Sequence, residues 1–173
     1  AGVGTSGGTV AFGVKENNYL GKGLSVDANA TVDEESIKGK FSVTNPNFQD
    51  SDKSVFLSLE AIEVDRSVDF GYKNNKVGFS IGTEFEYLND LDLSISTSSF
   101  YEKIETDSSA SAMQKKQEGN YWDTFLRLGF DFDKRNQIFQ TSDGFRSGYN
   151  IDIPIISDNN TLSNSFNYKV YKE

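Results

Sequence analysis

Residues 77–87 read Val-Gly-Phe-Ser-Ile-Gly-Thr-Glu-Phe-Glu-Tyr, and their order decides the fold. Val77, Phe79, Ile81, Thr83, Phe85 and Tyr87 fall on one side of an extended chain, and Gly78, Ser80, Gly82, Glu84 and Glu86 on the other. Successive side chains of a strand point to opposite faces, so this alternation predicts a strand with one apolar and one polar face. A helix has no way to sort these residues.

The same period runs outward in both directions. Downstream, Leu91, Leu93, Ile95, Thr97 and Tyr101 oppose Asp92, Ser94, Ser96, Ser98 and Glu102. Trp122, Thr124, Leu126, Leu128, Phe130 and Phe132 oppose Asp123, Arg127, Gly129, Asp131 and Asp133. Phe145, Tyr149, Ile151, Ile153 and Ile155 then oppose Arg146, Gly148, Asn150 and Asp152, and Leu162, Phe166, Tyr168 and Val170 repeat the pattern near the end. Upstream, Val10–Val14, Leu24–Val32, Ile37–Val43 and Val55–Ala61 alternate less strongly. With the short Ala1–Thr5 piece, about ten strands are expected.

Strand length separates two homes for this pattern. Strands of soluble proteins average about 5–6 residues, whereas a tilted strand crossing a bilayer needs about 9–11. Most runs here reach the longer figure, and their apolar phase is bracketed by Tyr87, Tyr101, Trp122, Phe145 and Tyr168, where interfacial girdles sit. The rival is a soluble sandwich that hides the Phe79/Ile81/Phe85 face in a core. Gly, Ser, Asn and charges on the other phase suit a wet lumen better.

The 173 residues carry 17 Lys+Arg against 26 Asp+Glu, no His, no Cys, two Pro, 14 Phe and 8 Tyr. Without His or Cys there is no Ser-His-Asp triad, thiol nucleophile, structural zinc site or disulfide framework. The acidic balance argues against nucleic acid as a partner, since phosphate neutralisation needs clustered cations. No apolar window is long enough for a spanning helix, and no secretory signal opens the chain. The mean hydropathy of −0.53 reports alternation, because the polar half of each strand cancels the apolar half.

No catalytic, cofactor or metal site is expected. Gly2-Val3-Gly4-Thr5-Ser6-Gly7 spells a dinucleotide fingerprint, but a strand follows it where a helix is needed. The pairs Asp50/Asp52, Glu84/Glu86, Asp90/Asp92 and Asp131/Asp133 read as lining a lumen or rim. Asn29-Ala30-Thr31 and Asn159-Asn160-Thr161 match a glycosylation triplet without further support. The segment 105–119 is long, polar and aperiodic, and reads as a flexible loop. Alternating connections put 6–8, 33–35, 65–75, 105–119 and 157–161 at one end of the sheet.

Three connections are less generic: Asn17-Asn18-Tyr19-Leu20-Gly21-Lys22-Gly23, then Val43-Thr44-Asn45-Pro46-Asn47-Phe48, then residues 133–146, DKRNQIFQTSDGFR. Their order and spacing resemble the periplasmic turns of the BamA family of outer-membrane assembly factors, within the outer-membrane barrel insertase/translocase superfamily. The matching positions are Tyr19, Leu20, Gly21, Gly23, Asn45, Pro46, Phe48, Arg135, Phe139, Gly144 and Arg146.

The resemblance implies an all-β, antiparallel up-and-down transmembrane barrel. Residues 1–173 would form one domain supplying about ten strands of a 16-stranded barrel, with POTRA domains and later strands lying outside it. It implies residence in the bacterial outer membrane, contact with membrane lipid, unfolded outer-membrane protein clients and assembly-complex lipoproteins, and no small-molecule substrate. The parent would insert and fold client barrels without bond chemistry, at a lateral seam formed here by Gly2, Val3, Gly4 and Thr5. The lipid-facing set would be Phe79, Ile81, Phe85, Leu93, Ile95, Leu126, Leu128, Phe130, Ile151 and Ile153. The alternatives are a polypeptide-secretion pore of the same superfamily and a small closed barrel acting as a passive pore. The last requires the first and final strands to pair.

Overall fold

The computed structural model describes residues 2–4, 7–158 and 160–172; Thr5 of the seam motif and Asn159 of the second glycosylation triplet lie outside them. Ten strands form a single antiparallel sheet in chain order. They are β1 (Gly2–Gly4), β2 (Gly7–Tyr19), β3 (Leu24–Val32), β4 (Ser36–Asn45), β5 (Ser54–Arg66), β6 (Tyr72–Leu88), β7 (Leu91–Thr106), β8 (Gly119–Asp133), β9 (Asp143–Ile156) and β10 (Ser163–Lys172). β1 and β10 are its two edges, so the sheet does not close on itself.

Cross-strand register keeps the two phases apart across the whole sheet. Ile81 pairs with Leu57 and Thr97, Thr97 with Leu126, and Leu126 with Ile153. Phe85 pairs with Leu93, Leu93 with Phe130, Phe130 with Tyr149, and Tyr149 with Phe166. Residues paired across strands share a face, so the apolar residues form one continuous wall. The polar rows, such as Lys40–Glu60–Gly78 and Gly82–Ser96–Arg127–Asp152, cover the other.

The apolar wall is exposed: Phe12 is 66% accessible, Phe79 43%, Ile81 49% and Phe166 68%. Among the described residues the one buried hydrophobic side chain is Ala110, in a connection, and no side chain is fully buried. A soluble sandwich requires a second layer over this face, and there is none. That rival reading is therefore not supported among the described residues, and the expected antiparallel up-and-down sheet is what the chain forms.

Glycines on the polar face are filled from neighbouring strands. A Cβ at Gly82 would come within 2.8 Å of the Phe56 ring and of the Ile95 carbonyl, and one at Gly78 would overlap the Phe100 ring. The glycines leave room for aromatic rings to lie across the backbone.

Two boundaries differ from expectation. The 65–75 connection shrinks to one helical turn, α1 (Ser67–Phe70), ended by Gly71 at φ 70°, because β5 and β6 continue as strands polar on both faces. Asp65 pairs with Lys73 and Glu63 with Asn75, and Lys73 Nζ bridges Glu63 at 2.5 Å and Asp65 at 3.6 Å. The 105–119 loop contains α2 (Ala112–Lys115), opened by a capping box of Ser111 and Gln114, and Ala110 packs on Gly71. Further on, Pro154 sits at a register shift: Phe125 pairs with Pro154 but Thr124 with Ile156. Ile155 is therefore an extra residue outside the alternation, at a bulge where proline's missing N–H is tolerated.

Candidate functional site: the open edge and the short-turn end

Among the described residues β1 meets β2 through three residue pairs, Gly2 with Thr9, Val3 with Gly8 and Gly4 with Gly7, whereas every other neighbouring pair shares at least eight. β2 runs on to Tyr19, so its outer edge from Val10 onward has no strand partner among the described residues. The sequence motif points to Gly2–Gly4, but most of the unpaired edge belongs to β2.

The connections at 20–23, 46–53, 89–90 and 134–142 share one end, and the three predicted turn motifs meet there. In the first, Leu20, Gly21 and Gly23 all take positive φ; Gly21 N–H donates to the Asn18 carbonyl at 3.0 Å and Gly23 N–H to Asn18 Oδ1 at 2.7 Å. Tyr19 and Leu20 are left exposed. In the second, Asn45 Oδ1 accepts from Asn47 N–H at 3.1 Å, so Asn45-Pro46-Asn47 turns the chain into a 3-10 turn at Phe48–Asp50.

In the third, Gly144 has φ 102°, and Lys134 N–H donates to the Phe145 carbonyl at 2.8 Å. Arg135 Nε donates to Asp133 Oδ1 at 2.8 Å, and Arg146 holds both oxygens of Asp131, at 2.8–3.1 Å. The Asp133 carboxylate pushes the Arg135 pKa further up, and the guanidinium is charged at any working pH with or without that partner. The structure thus brings Arg135, Gly144 and Arg146 together and leaves Phe139 apart, 85% exposed. Sequence reading missed that Asp131 and Asp133 are their partners. The signal was there, because Asp131, Asp133 and Arg146 occupy the same phase. The turn is tied to its neighbour by Asp133 N–H to the Asp90 carbonyl at 2.9 Å and by a Lys134–Asp90 ion pair.

Aromatic side chains mark both limits of the apolar wall. Tyr101 and Trp122 lie 6.3 Å apart near one end; Phe132, Phe145 and Tyr168 follow one another at 5.7 Å near the other. From Trp122 to Phe132 is ten steps along β8, or about 34 Å of strand, which a tilt near 45° turns into about 24 Å of height. Barrel walls in outer membranes carry an apolar band about 25 Å tall.

A model of the Omp85 superfamily domain matches residues 18–173. The chain belongs to the Omp85 superfamily. Among solved structures, BamA from Haemophilus ducreyi lacking POTRA domains 1–3 is similar, with a TM-score of 0.73 at 18% identity. The match covers 94% of this Omp85 chain and 34% of that one, so the chain spans about a third of that protein. No curated protein matches the sequence. Fold and family agree on an outer-membrane barrel architecture, and the likeness at this identity speaks for the fold alone.

One feature of the opposite end titrates. Asp107 Oδ1 accepts from Ser109 N–H at 2.7 Å and Ser109 Oγ at 2.6 Å, and the Ser109 hydroxyl, then its amide, lower the Asp107 pKa below 3.8. A lowered folded-state pKa contributes order above the ordinary carboxylate range and loses it as pH falls through the folded value. The Ser109 amide resonance is expected to titrate with a midpoint below 3.8, and Ser109→Ala to raise that midpoint.

Proposed function

We propose that this chain supplies the first ten strands of a larger, 16-stranded outer-membrane barrel whose work is to insert and fold other barrel proteins. What supports the proposal is the Omp85 match over residues 18–173 on a ten-stranded antiparallel sheet whose two edge strands do not pair with each other among the described residues. An open edge offers backbone donors and acceptors to an incoming strand, which gains affinity by extending the ladder. In this arrangement the apolar wall faces lipid, with Phe79, Ile81, Phe85, Leu93, Ile95, Leu126, Leu128, Phe130, Ile151 and Ile153 in contact with acyl chains. The polar face lines a wet lumen. The short turns face the periplasm, and the 107–118 connection the exterior. Unfolded outer-membrane proteins are the clients and assembly lipoproteins the partners. No bond is made or broken.

The chain's lack of Cys makes cross-linking direct. Single cysteines at Gly4 and Val10 of the full-length protein, paired with cysteines in the terminal strand of a stalled client barrel, are expected to form disulfides in register. Cross-links at both positions exclusively to the protein's own last strand would overturn the seam.

A further inference from the structure

Where the 107–118 connection folds back over the polar face of the sheet, it encloses a cavity of about 250 Å³ lined by Tyr72, Asn74, Ile104, Gln114 and Gln117. Tyr72 and Asn74 share the phase of Gly78 and Ser80 on β6, and Ile104 of β7 pairs with Asn74. Gln114 lies in α2 and Gln117 just beyond it. We propose that this cavity binds a neutral sugar unit. The proposed orientation of the barrel puts it at the exterior, but the cavity itself does not depend on that orientation.

One buried atom calls for a donor. Asn74 Nδ2 donates to Glu102 Oε1 at 2.7 Å. A carboxylate oxygen accepts, so the amide nitrogen must face Glu102 and the amide oxygen must face away from it. That oxygen, Asn74 Oδ1, is buried and has no hydrogen-bond partner among the described residues. A buried acceptor without a donor is costly, and a ligand hydroxyl removes the cost. The space exceeds severalfold the ~30 Å³ that one water takes in the liquid, so a single water does not fill it.

The opposite wall carries amides too. Gln117 N–H donates to the Gln114 carbonyl at 2.9 Å and the Gln117 carbonyl accepts from the Tyr121 hydroxyl at 2.9 Å, while its side-chain amide has no partner among the described residues. Gln114 Oε1 accepts from Ser111 N–H at 2.8 Å, which leaves its amide nitrogen for a ligand. Asp107 N–H on the Gly71 carbonyl at 2.8 Å and Thr106 Oγ1 on Glu118 Oε2 at 2.6 Å hold both ends of the connection over the sheet.

This lining selects the ligand. None of the five residues is Lys, Arg, Asp or Glu, so a phosphate or a cation finds no counter-charge among them. Amides on two walls donate and accept, which suits a ring bearing hydroxyls around its whole rim, and Tyr72 and Ile104 offer apolar surface to its C–H groups.

The test uses full-length protein in lauryldimethylamine oxide micelles, which carry no sugar headgroup, and saturation-transfer NMR with the methyl glycosides of glucose, galactose, mannose and N-acetylglucosamine. At least one glycoside is expected to receive saturation from the protein, and glucuronate and glucosamine to bind about tenfold more weakly, because their charge finds no partner. Gln117→Leu weakens glycoside binding about tenfold, Ile104→Trp fills the cavity and abolishes it, and Lys116→Gln leaves it unchanged. Competition by dextran at equal residue concentration identifies the ligand as a unit within a polysaccharide, and its failure to compete identifies a free sugar. Saturation of none of the glycosides overturns the proposal, as does equal binding to wild type, Gln117→Leu and Ile104→Trp. Preference for N-acetylalanine methylamide over every glycoside overturns the choice of sugar. Failure of the protein to enter vesicles overturns the membrane reading and leaves the binding result standing.

Discussion

Ile81→Arg is expected to block assembly into lipid bilayers, whereas Ser80→Arg, one residue away, leaves it nearly intact. Ile81 lies mid-way along β6, 49% exposed on the apolar wall, between Leu57 and Thr97. An arginine on the lipid face at the midplane costs about 2–4 kcal/mol, a fall of roughly 30- to 1000-fold in the equilibrium constant for folding into the bilayer. Ser80 pairs with Ser58 and Ser98 on the polar face, where a guanidinium stays hydrated. The folded yield in vesicles, read as heat-resistant β structure, checks the contrast. Equal yields for the two variants contradict the assignment of faces.

Gly144→Val is the second large effect, and its cause is local. Gly144 has φ 102°, and an added Cβ would lie 2.9 Å from the Arg135 Cα and overlap the Lys134 carbonyl. Both neighbours are backbone atoms, and both strands are fixed there, Lys134 N–H on the Phe145 carbonyl at 2.8 Å and Asn136 N–H on that of Asp143 at 3.0 Å. Neither can step aside without breaking the turn. Strain at positive φ costs about 1–3 kcal/mol, and forced overpacking about 1–3 kcal/mol more. Gly21, at φ 69°, has open space around its Cβ position, so Gly21→Ala costs only about 1 kcal/mol of conformational strain. Urea unfolding midpoints of the lipid-inserted variants separate the two.

The middle of each strand was legible because two different environments act on its two faces. Phe79, Ile81 and Phe85 read as one phase, and the structure keeps them on one wall with Leu93 and Phe130. Where both faces are wet, periodicity carries no signal: the end of β5 and the part of β6 before Val77 are joined by the ion pairs of Lys73 with Glu63 and Asp65, and hydrophobicity alone reads them as loop. Ile155 escaped because Pro154 inserts a bulge that no alternation announces. The cap of α2 was readable as Ser111-Ala112-Met113-Gln114, a local pattern inside an otherwise aperiodic segment. Of the turn motifs, Gly21, Gly23 and Gly144 were legible because each fills a positive φ. The partner of Arg135, Asp133, lies only two residues away, whereas the Asp131 partner of Arg146 on the neighbouring strand required the cross-strand register, which the shared phase narrows but does not fix.

The central claim is that the apolar phase of the sheet faces lipid and the polar phase faces water. It is tested most directly by spin labels on single cysteines introduced one by one from Lys76 to Leu88 in the membrane-inserted full-length protein, measuring collision with dissolved oxygen and with a polar nickel complex. Oxygen access is expected to peak at Val77, Phe79, Ile81, Thr83 and Phe85, and nickel access at Gly78, Ser80, Gly82 and Glu84, with a period of two. Labels at 79, 81 and 85 shielded from both reagents would place that face in a protein core and contradict the account.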